Sequence, residues 1–498
     1  MARVAFCQDV LVEYMGFMCI SAVLKEAGHT VDVFFDNQTN EEKFLREVAA
    51  FRPDVVGFSI LSPSAPWALR TAKRVKDATG AIIVFGNVHA IFRPDIVEDE
   101  GVDIVCLGEG EYCMRELCAA LDRGEDYSRI EGFWVKTRDG VVRNPARRDL
   151  VVMDNLPYHD RQLYDKYVFF RRSPYLRVMT GRGCPFSCTF CSNTPLKDHF
   201  GDGGAYIRKM SPERAIAEIE HTLRNHAARV KTVFFIDEVL WVKNQWLRDF
   251  LPLYRDRVGI PFLANFRFGP IEESDIRLLA QAGAWGVAVS VETADEEQRR
   301  NLFHKNVSND HVIQVTDWLR KYGVEFGLSA FFGLPGETFE EQVKRLEFYR
   351  RVNPFYLWTT FFQPYPGLPL SEHEEVQKYL PPGKDFPVTL HHEMYLDIPD
   401  RDRLANLKKV YYLCMKFPRL QPLLVRLCNY RIPLLFDFLF LLHFAYYTFR
   451  VEGVSVFQFL MHLRTFALHP LRRGLSTRGR PSPEPHVAVT AKPGPTED

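Results

Sequence analysis

At 498 residues the chain is longer than one hydrophobic core ordinarily accommodates, so two or more domains are expected. Lys plus Arg and Asp plus Glu both total 63, which removes the global charge that would draw the protein to nucleic acid or to an anionic surface. Hydrophobic and charged contents of 46% and 25% are those of a globular protein, with a mild excess of aromatic residues in 40 Phe and 20 Tyr.

Met1-Ala2-Arg3 leads into the apolar run Val4 to Cys7, which has the length of a buried strand and not of an export signal. A reducing cytoplasm is therefore expected for the 10 cysteines, and seven of them (7, 19, 106, 113, 118, 414, 428) read as scattered buried hydrophobes. Residues 1–125 alternate apolar strands (3–7, 30–35, 54–60, 81–85, 103–107) with amphipathic helices (16–27, 42–51, 65–77, 111–121). That spacing predicts βαβ units in a parallel, doubly wound sheet, whose ligands bind where loops leave the carboxyl ends of the strands. Here those loops carry Gln8-Asp9, Ser59 to Ser62, Gly86 to His89 and Gly108 to Glu111.

Residues 126–172 read as a connector, with a hairpin turning at Asp139-Gly140 and a loop at Asn155-Leu156-Pro157. Over 173–370 the alternation resumes, with strands near 175–180, 232–236, 262–267, 286–291, 325–332 and 356–362 and helices at 211–226, 272–282, 309–322 and 337–351. Six βα units predict a partial (β/α)6 barrel with its chemistry at the carboxyl ends of the strands. Residues 371–470 read as mostly helical, and within them 432–449 predicts a buried or interfacial helix, because Asp437 and His443 interrupt a run barely long enough to span a bilayer. The proline-rich, apolar-poor residues 471–498 are expected to be disordered.

The chemistry concentrates after the first predicted barrel strand, in Gly181-Arg182-Gly183-Cys184-Pro185-Phe186-Ser187-Cys188-Thr189-Phe190-Cys191. Three thiols within eight residues can converge on one soft metal centre. Zinc would ordinarily take a fourth Cys or His nearby in the chain, and none follows. Three protein ligands leave one iron of a cubane open for a further ligand.

These residues resemble the radical S-adenosylmethionine (SAM) superfamily, and the resemblance continues along the barrel. Phe234-Phe235-Ile236-Asp237-Glu238 is similar to that family's second-strand motif, and Ser290-Val291-Glu292-Thr293 to its fourth. Gly333-Leu334-Pro335-Gly336-Glu337-Thr338 matches the fifth, and Gln363 to Gly367 closes the sixth. The resemblance implies a 4Fe–4S cluster on Cys184, Cys188 and Cys191, with SAM beside Phe190, Asp237, Glu292, Gly333 and Gly336. Read as residues alone, Glu292 has a structural salt bridge as its alternative, and Gly333 and Gly336 could simply make a tight turn.

Gly28-His29-Thr30-Val31, Asp54 to Ser59, Gly86 to His89 and Gly108 to Glu111 resemble the cobalamin-binding domain that precedes many radical SAM barrels. The resemblance implies a corrin over the strand ends, near Ser59, Ser62, Asn87, Gly108 and Glu109. Better-known cobalamin proteins offer cobalt a histidine from an Asp-x-His-x-x-Gly loop, but here that loop reads Asp9-Val10-Leu11-Val12-Glu13, so no imidazole ligand is expected. His89 reads as a satisfied structural histidine.

The family implies an enzyme that uses both cofactors: a methyltransferase acting on an unactivated carbon of a small molecule, with the apolar composition after residue 370 pointing to a hydrophobic substrate, or else an oxidative cyclase or rearrangement enzyme without methyl transfer. A non-catalytic sensor would leave the full set of barrel motifs without a role. An external electron donor of flavodoxin or ferredoxin type is implied, nucleic acid is not, and a peripheral membrane contact would fall to the carboxyl-terminal region.

Overall fold

The computed structural model describes residues 1–36, 40–201, 206–225, 230–240, 244–383, 386–387 and 393–452. The first layer is a seven-stranded sheet built from β1 (Arg3–Gln8), β2 (Thr30–Phe35), β3 (Val55–Ser59), β4 (Ile82–Gly86), β5 (Ile104–Cys106), β6 (Phe133–Thr137) and β7 (Gly140–Arg143). Its order is β2-β1-β3-β4-β5-β6-β7, with β1 to β5 parallel and the last two antiparallel. The strands are near-continuous apolar runs because helices cover both faces. Those helices are α1 (Met15–Glu26), α2 (Glu41–Phe51), α3 (Ala65–Thr79), α4 (Val88–Phe92) and α5 (Gly110–Arg123). Strand order reverses between β1 and β3, which makes their carboxyl ends the crevice of this sheet.

The hairpin at Asp139-Gly140 forms as expected, but it is not a free connector. β6 pairs with β5, so the hairpin extends the first sheet, and the linking segment shortens to the residues after β7. An exposed edge at β5 would present unpaired backbone groups, and β6 satisfies them.

The second sheet has six strands, all parallel, in the order β15-β14-β13-β12-β11-β8. These are β8 (Tyr175–Val178), β11 (Thr232–Phe235), β12 (Phe262–Asn265), β13 (Ala284–Glu292), β14 (Glu325–Phe332) and β15 (Tyr356–Phe361). β8 and β15 are its two free edges, so the barrel is open. A two-residue ribbon, β9 (Gly181–Arg182) with β10 (Arg208–Lys209), carries the chain out of β8. Outside the sheet lie α6 (Asn193–His199), α7 (Pro212–Asn225), α8 (Asn244–Arg257), α9 (Glu273–Gln281), α10 (Asn309–Lys321) and α11 (Phe339–Val352). Thr338 starts α11 with a reciprocal capping box to Glu341, so this end of the fifth-strand motif is a helix cap.

After residue 370 the expected helices are α12 (Arg401–Lys416), α13 (Gln421–Leu427) and α14 (Pro433–Tyr447). α12 packs against α11 and β15, where Tyr411 donates to the Gln342 carbonyl at 2.8 Å. α14 falls within the stretch read as a buried or interfacial helix. The expected disordered tail lies outside the described residues. All seven scattered cysteines are buried, as small apolar side chains should be.

Candidate functional site

The cysteine loop leaves the carboxyl end of β8 and is tied across the barrel mouth. Thr189 donates from Oγ1 to the Leu302 carbonyl at 2.6 Å, and its own carbonyl accepts from the Leu370 amide at 3.0 Å. Lys197 caps the loop from α6 with Nζ at 2.9 Å from the Phe186 carbonyl and 2.8 Å from Ser187 Oγ. Cys184 and Cys188 are buried and Cys191 is half-buried. Burial pushes the Cys184 thiol up to about 11 and raises Cys191 in the same direction, with the neighbouring thiols adding to both effects.

A guanidinium reaches this cluster. Arg267, just beyond β12, places Nη1 2.7 Å from Cys188 Sγ, and its guanidinium stacks 3.9 Å from the centre of the Phe186 ring. Among the described residues no three His, Cys, Asp or Glu side chains gather closely enough to share a single metal ion. A cubane binds each thiolate through a different iron, so its ligands stand farther apart than those of a mononuclear site. Three soft donors with a guanidinium beside them fit an anionic iron–sulfur cluster.

The carboxylates singled out at the strand ends are both buried and both paired. Asp237 accepts from Thr180 Oγ1 at 2.8 Å, from the Thr180 amide at 3.1 Å and from Lys209 Nζ at 2.9 Å, so it ties the loop after β11 to the end of β8. Glu292 closes β13 at a register shift and with φ of +62°, a backbone region that non-glycine residues seldom occupy. Its Oε2 lies 2.8 Å from Lys305 Nζ, and Oε1 accepts from Ser290 Oγ at 2.6 Å. The salt bridge that the residues alone left open is therefore present, with a lysine 13 positions along the chain.

Phe190 stands edge-on to Phe303 and Phe331, with centroids 5.4 and 5.2 Å away, inside the barrel mouth. The two glycines of the fifth motif differ. A Cβ on Gly333 would come within 2.8 Å of Met394, so close approach demands glycine there. At Gly336 nothing lies within 4 Å, and only its φ of +69° does. Glu337 of the same motif accepts from the Gly333 amide at 2.7 Å and pairs with Arg345 at 3.1 Å, while burial raises its carboxyl to about 7.

In the first sheet, Ser59, Ser62 and Asn87 come together at the ends of β3 and β4. Asn87 Nδ2 donates to Ser59 Oγ at 2.9 Å, and Ser62 Oγ lies 3.0 Å from His89 Nδ1. Burial lowers His89 to about 4, so it is neutral and partnered, as the residues suggested. After β1, Gln8 donates to the Val10 and Val12 carbonyls at 2.7 and 2.8 Å and folds the loop that lacks a histidine. Neutral amides and hydroxyls at a strand-order reversal fit a bulky ligand rimmed with amides, such as a corrin.

Gly108 and Glu109, after β5, make contacts at the junction between the sheets. Phe200 packs on Gly108, and His199 Nε2 lies 2.5 Å from the Leu107 carbonyl. Glu109 takes Arg182 at 2.7 Å and Arg208 at 2.6 Å, and Glu111 takes Arg182 at 2.5 Å. The two guanidiniums overcome the effect of burial and hold Glu109 down at about 2. At the far edge of the barrel, Gly367, beyond β15, lies against Phe92 of α4. The carboxyl-end loops of one sheet thus face those of the other.

Arg267, Lys305, Arg182 and Arg208 were not singled out from the sequence. Only Arg267 carried a usable signal, its place at the end of the predicted strand 262–267. A cavity of about 380 Å³ between α1, residues 157–165 and α7 is lined by none of the residues above, and its walls hold His159, Asp160, Lys25 and His221.

Comparison with known proteins identifies a family for each of the two sheets. Residues 7–118 match the B12 binding domain family and residues 178–349 the Radical SAM superfamily. An uncharacterized methyltransferase, PH0819, of Pyrococcus horikoshii is 28% identical over 66% of this chain and 70% of its own length. An anaerobic magnesium-protoporphyrin IX monomethyl ester cyclase of Rubrivivax gelatinosus is 25% identical over 70% of this chain and 63% of its own length. In fold, the chain is similar to the radical SAM methyltransferase TsrM of Kitasatospora setae, with a TM-score of 0.62 and 18% identity over 78% of this chain and 79% of that one.

Proposed function

We propose that this chain, which belongs to the radical SAM enzymes with an amino-terminal B12-binding domain, is a cobalamin-dependent methyltransferase acting on an unactivated carbon of a small molecule. The observation that carries the reading is the opposition of the two strand-end faces. His199 and Phe200, just after the cysteine loop, touch Leu107 and Gly108, while Gly367 meets Phe92. Groups held on either face would be brought toward one another.

Cys184, Cys188 and Cys191 would hold the cluster, and Ser59, Ser62 and Asn87 would contact the corrin. When bound, the cluster would supply the electron that cleaves one SAM to methionine and a 5′-deoxyadenosyl radical, and cobalamin would pass on the methyl group of a second SAM, which leaves as S-adenosylhomocysteine. The chain's own residues do the rest. Arg267 would set a positive charge beside a cluster held at Cys188, and Phe190, Phe303 and Phe331 would exclude water from the mouth. Glu292 would contact SAM, held in place by Lys305 and Ser290, and Gly333 and Gly336 would let the backbone approach it. Asp237 would keep the cysteine-loop strand in register with β11. The electron comes from an external donor of flavodoxin or ferredoxin type.

The match to the cyclase favours a second reading, oxidative ring closure with the same cofactors. One experiment addresses both. Protein isolated without oxygen from cobalamin-fed cells should hold about four irons and about one cobalt per chain, and Cys188→Ala should lose the iron and keep the cobalt. S-adenosylhomocysteine formed alongside 5′-deoxyadenosine supports methylation, and 5′-deoxyadenosine alone supports cyclisation. Iron retained at the parent level in Cys188→Ala overturns the cysteine assignment.

A further inference from the structure

α14 is apolar on every side, yet only one of its faces is covered. Phe436 and His443 point inward, where His443 Nδ1 meets the Tyr356 hydroxyl at 2.8 Å and Nε2 meets the Lys409 carbonyl at 3.1 Å. Asp437 is tied to Lys409 of α12 at 2.5 Å. These contacts hold the helix lengthwise against α12 and β15. On the opposite face Leu434, Phe438, Leu442 and Tyr446 recur every fourth residue, and the first three expose 82%, 56% and 51% of their surface. Phe417, Leu420 and Leu423, on α13 and the turn before it, are exposed as well. The stretch 433–451 has a mean hydropathy of 1.4 with only 17% of it buried. A patch of this extent rarely stays in water without a partner.

The segment that carries it is predominantly basic. Residues 417–450 hold the arginines Arg419, Arg426, Arg431 and Arg450, of which Arg431 pairs with Asp402 at 2.9 Å, while Asp437 is the sole acidic residue of the segment and is already paired. This one-sided charge exists in a chain whose total charge is zero. Exposed apolar side chains in an arginine-rich segment match an interface where acyl chains lie below anionic headgroups. A spanning orientation is excluded for this helix by its covered face, because Asp437 and His443 would have to leave their partners.

We infer that α13 and α14 form a docking platform that seats the protein on the surface of an anionic lipid bilayer, with α14 lying in the interfacial plane. Tyr356 begins β15, so the platform borders the amino end of that strand, whereas the cysteine loop follows the carboxyl end of β8. Docking therefore leaves the barrel mouth uncovered. The inference is independent of the cofactors, and its failure would leave the metal analysis untouched.

The test is co-sedimentation of the full chain with vesicles of phosphatidylcholine alone or with roughly one-third phosphatidylglycerol. Binding is expected to the anionic vesicles, weakening with salt, and Phe438→Glu with Leu442→Glu should abolish it. Arg419→Glu with Arg426→Glu should weaken it about tenfold or more, with an unchanged melting profile. In the unsubstituted chain, hydrogen exchange over 433–447 should slow when anionic vesicles are added. The inference is overturned if the chain stays in the supernatant with both vesicles or if the glutamate variants bind as well as the parent. It is equally overturned if the platform instead holds a second copy, seen as a dimer by light scattering that the same variants dissolve.

Discussion

Replacing Lys305 by Met is the sharpest test of how the fourth-strand carboxylate is held. Lys305 and Glu292 are each 3% exposed and meet at 2.8 Å, so each neutralises a charge that water cannot reach. In Lys305→Met, Glu292 keeps Ser290 at 2.6 Å but loses the ammonium paired with it, while the thioether fills much of the lysine's volume. Breaking a buried pair from one side costs about 3–5 kcal/mol, most of it the desolvation of the stranded ion. For a barrel of this size that lowers the melting temperature of its transition by roughly 10 °C. The double change Glu292→Gln with Lys305→Met should recover most of the loss, because no buried charge remains. Differential scanning calorimetry on all four proteins closes the cycle. A single Lys305→Met change that melts within about 1 °C of the parent would refute the reasoning, since it would mean Glu292 bears no uncompensated charge. SAM affinity gives a second axis: the double variant should regain stability without regaining SAM affinity.

Two further outcomes follow from the same geometry. Arg267→Met removes a positive charge and a hydrogen bond at 2.7 Å from Cys188 Sγ, so the reduced cluster should be harder to form, and its midpoint should fall by tens of millivolts in an EPR-monitored titration. An unchanged potential would show that the guanidinium does not act on the cluster. Burial lowers His443 to about 4 from 6.5, and its partners fit the neutral ring, with Nε2–H donating to the Lys409 carbonyl and Nδ1 accepting from Tyr356. Its folded pKa lies below the unfolded one, so its stabilisation is fully present above pH 6.5 and is lost as pH falls toward 4, about 2 kcal/mol of it by pH 5. His443→Gln keeps both hydrogen bonds without titrating, so its melting temperature should drop less than the parent's between pH 7 and pH 5; equal drops would count against the assignment.

Much of the fold was legible because its signals are local. The strand and helix periods, the Asp139-Gly140 turn and the three cysteines within eight residues depend on neighbours in the chain, and each is where those neighbours put it. The hairpin shows the limit of such reading. Its turn was evident, but its pairing with β5 rather than with nothing depended on which edge lay open. Likewise, Glu109 looked like a ligand-loop carboxylate, and only the approach of Arg182 and Arg208, 73 and 99 positions away, made it part of the junction between the sheets.

The sequence by itself determined the donor types and their order along the chain: three thiols after a first barrel strand, carboxylates at later strand ends, and a loop after β1 with no imidazole. Tertiary structure alone decided which charges meet, because Arg267 and Cys188 lie 79 positions apart and no local pattern links them. It also decided which side of α14 stays uncovered. A helix apolar all the way round carries no record of the face its neighbours will bury, and that face exists only once α12 and β15 have packed against it.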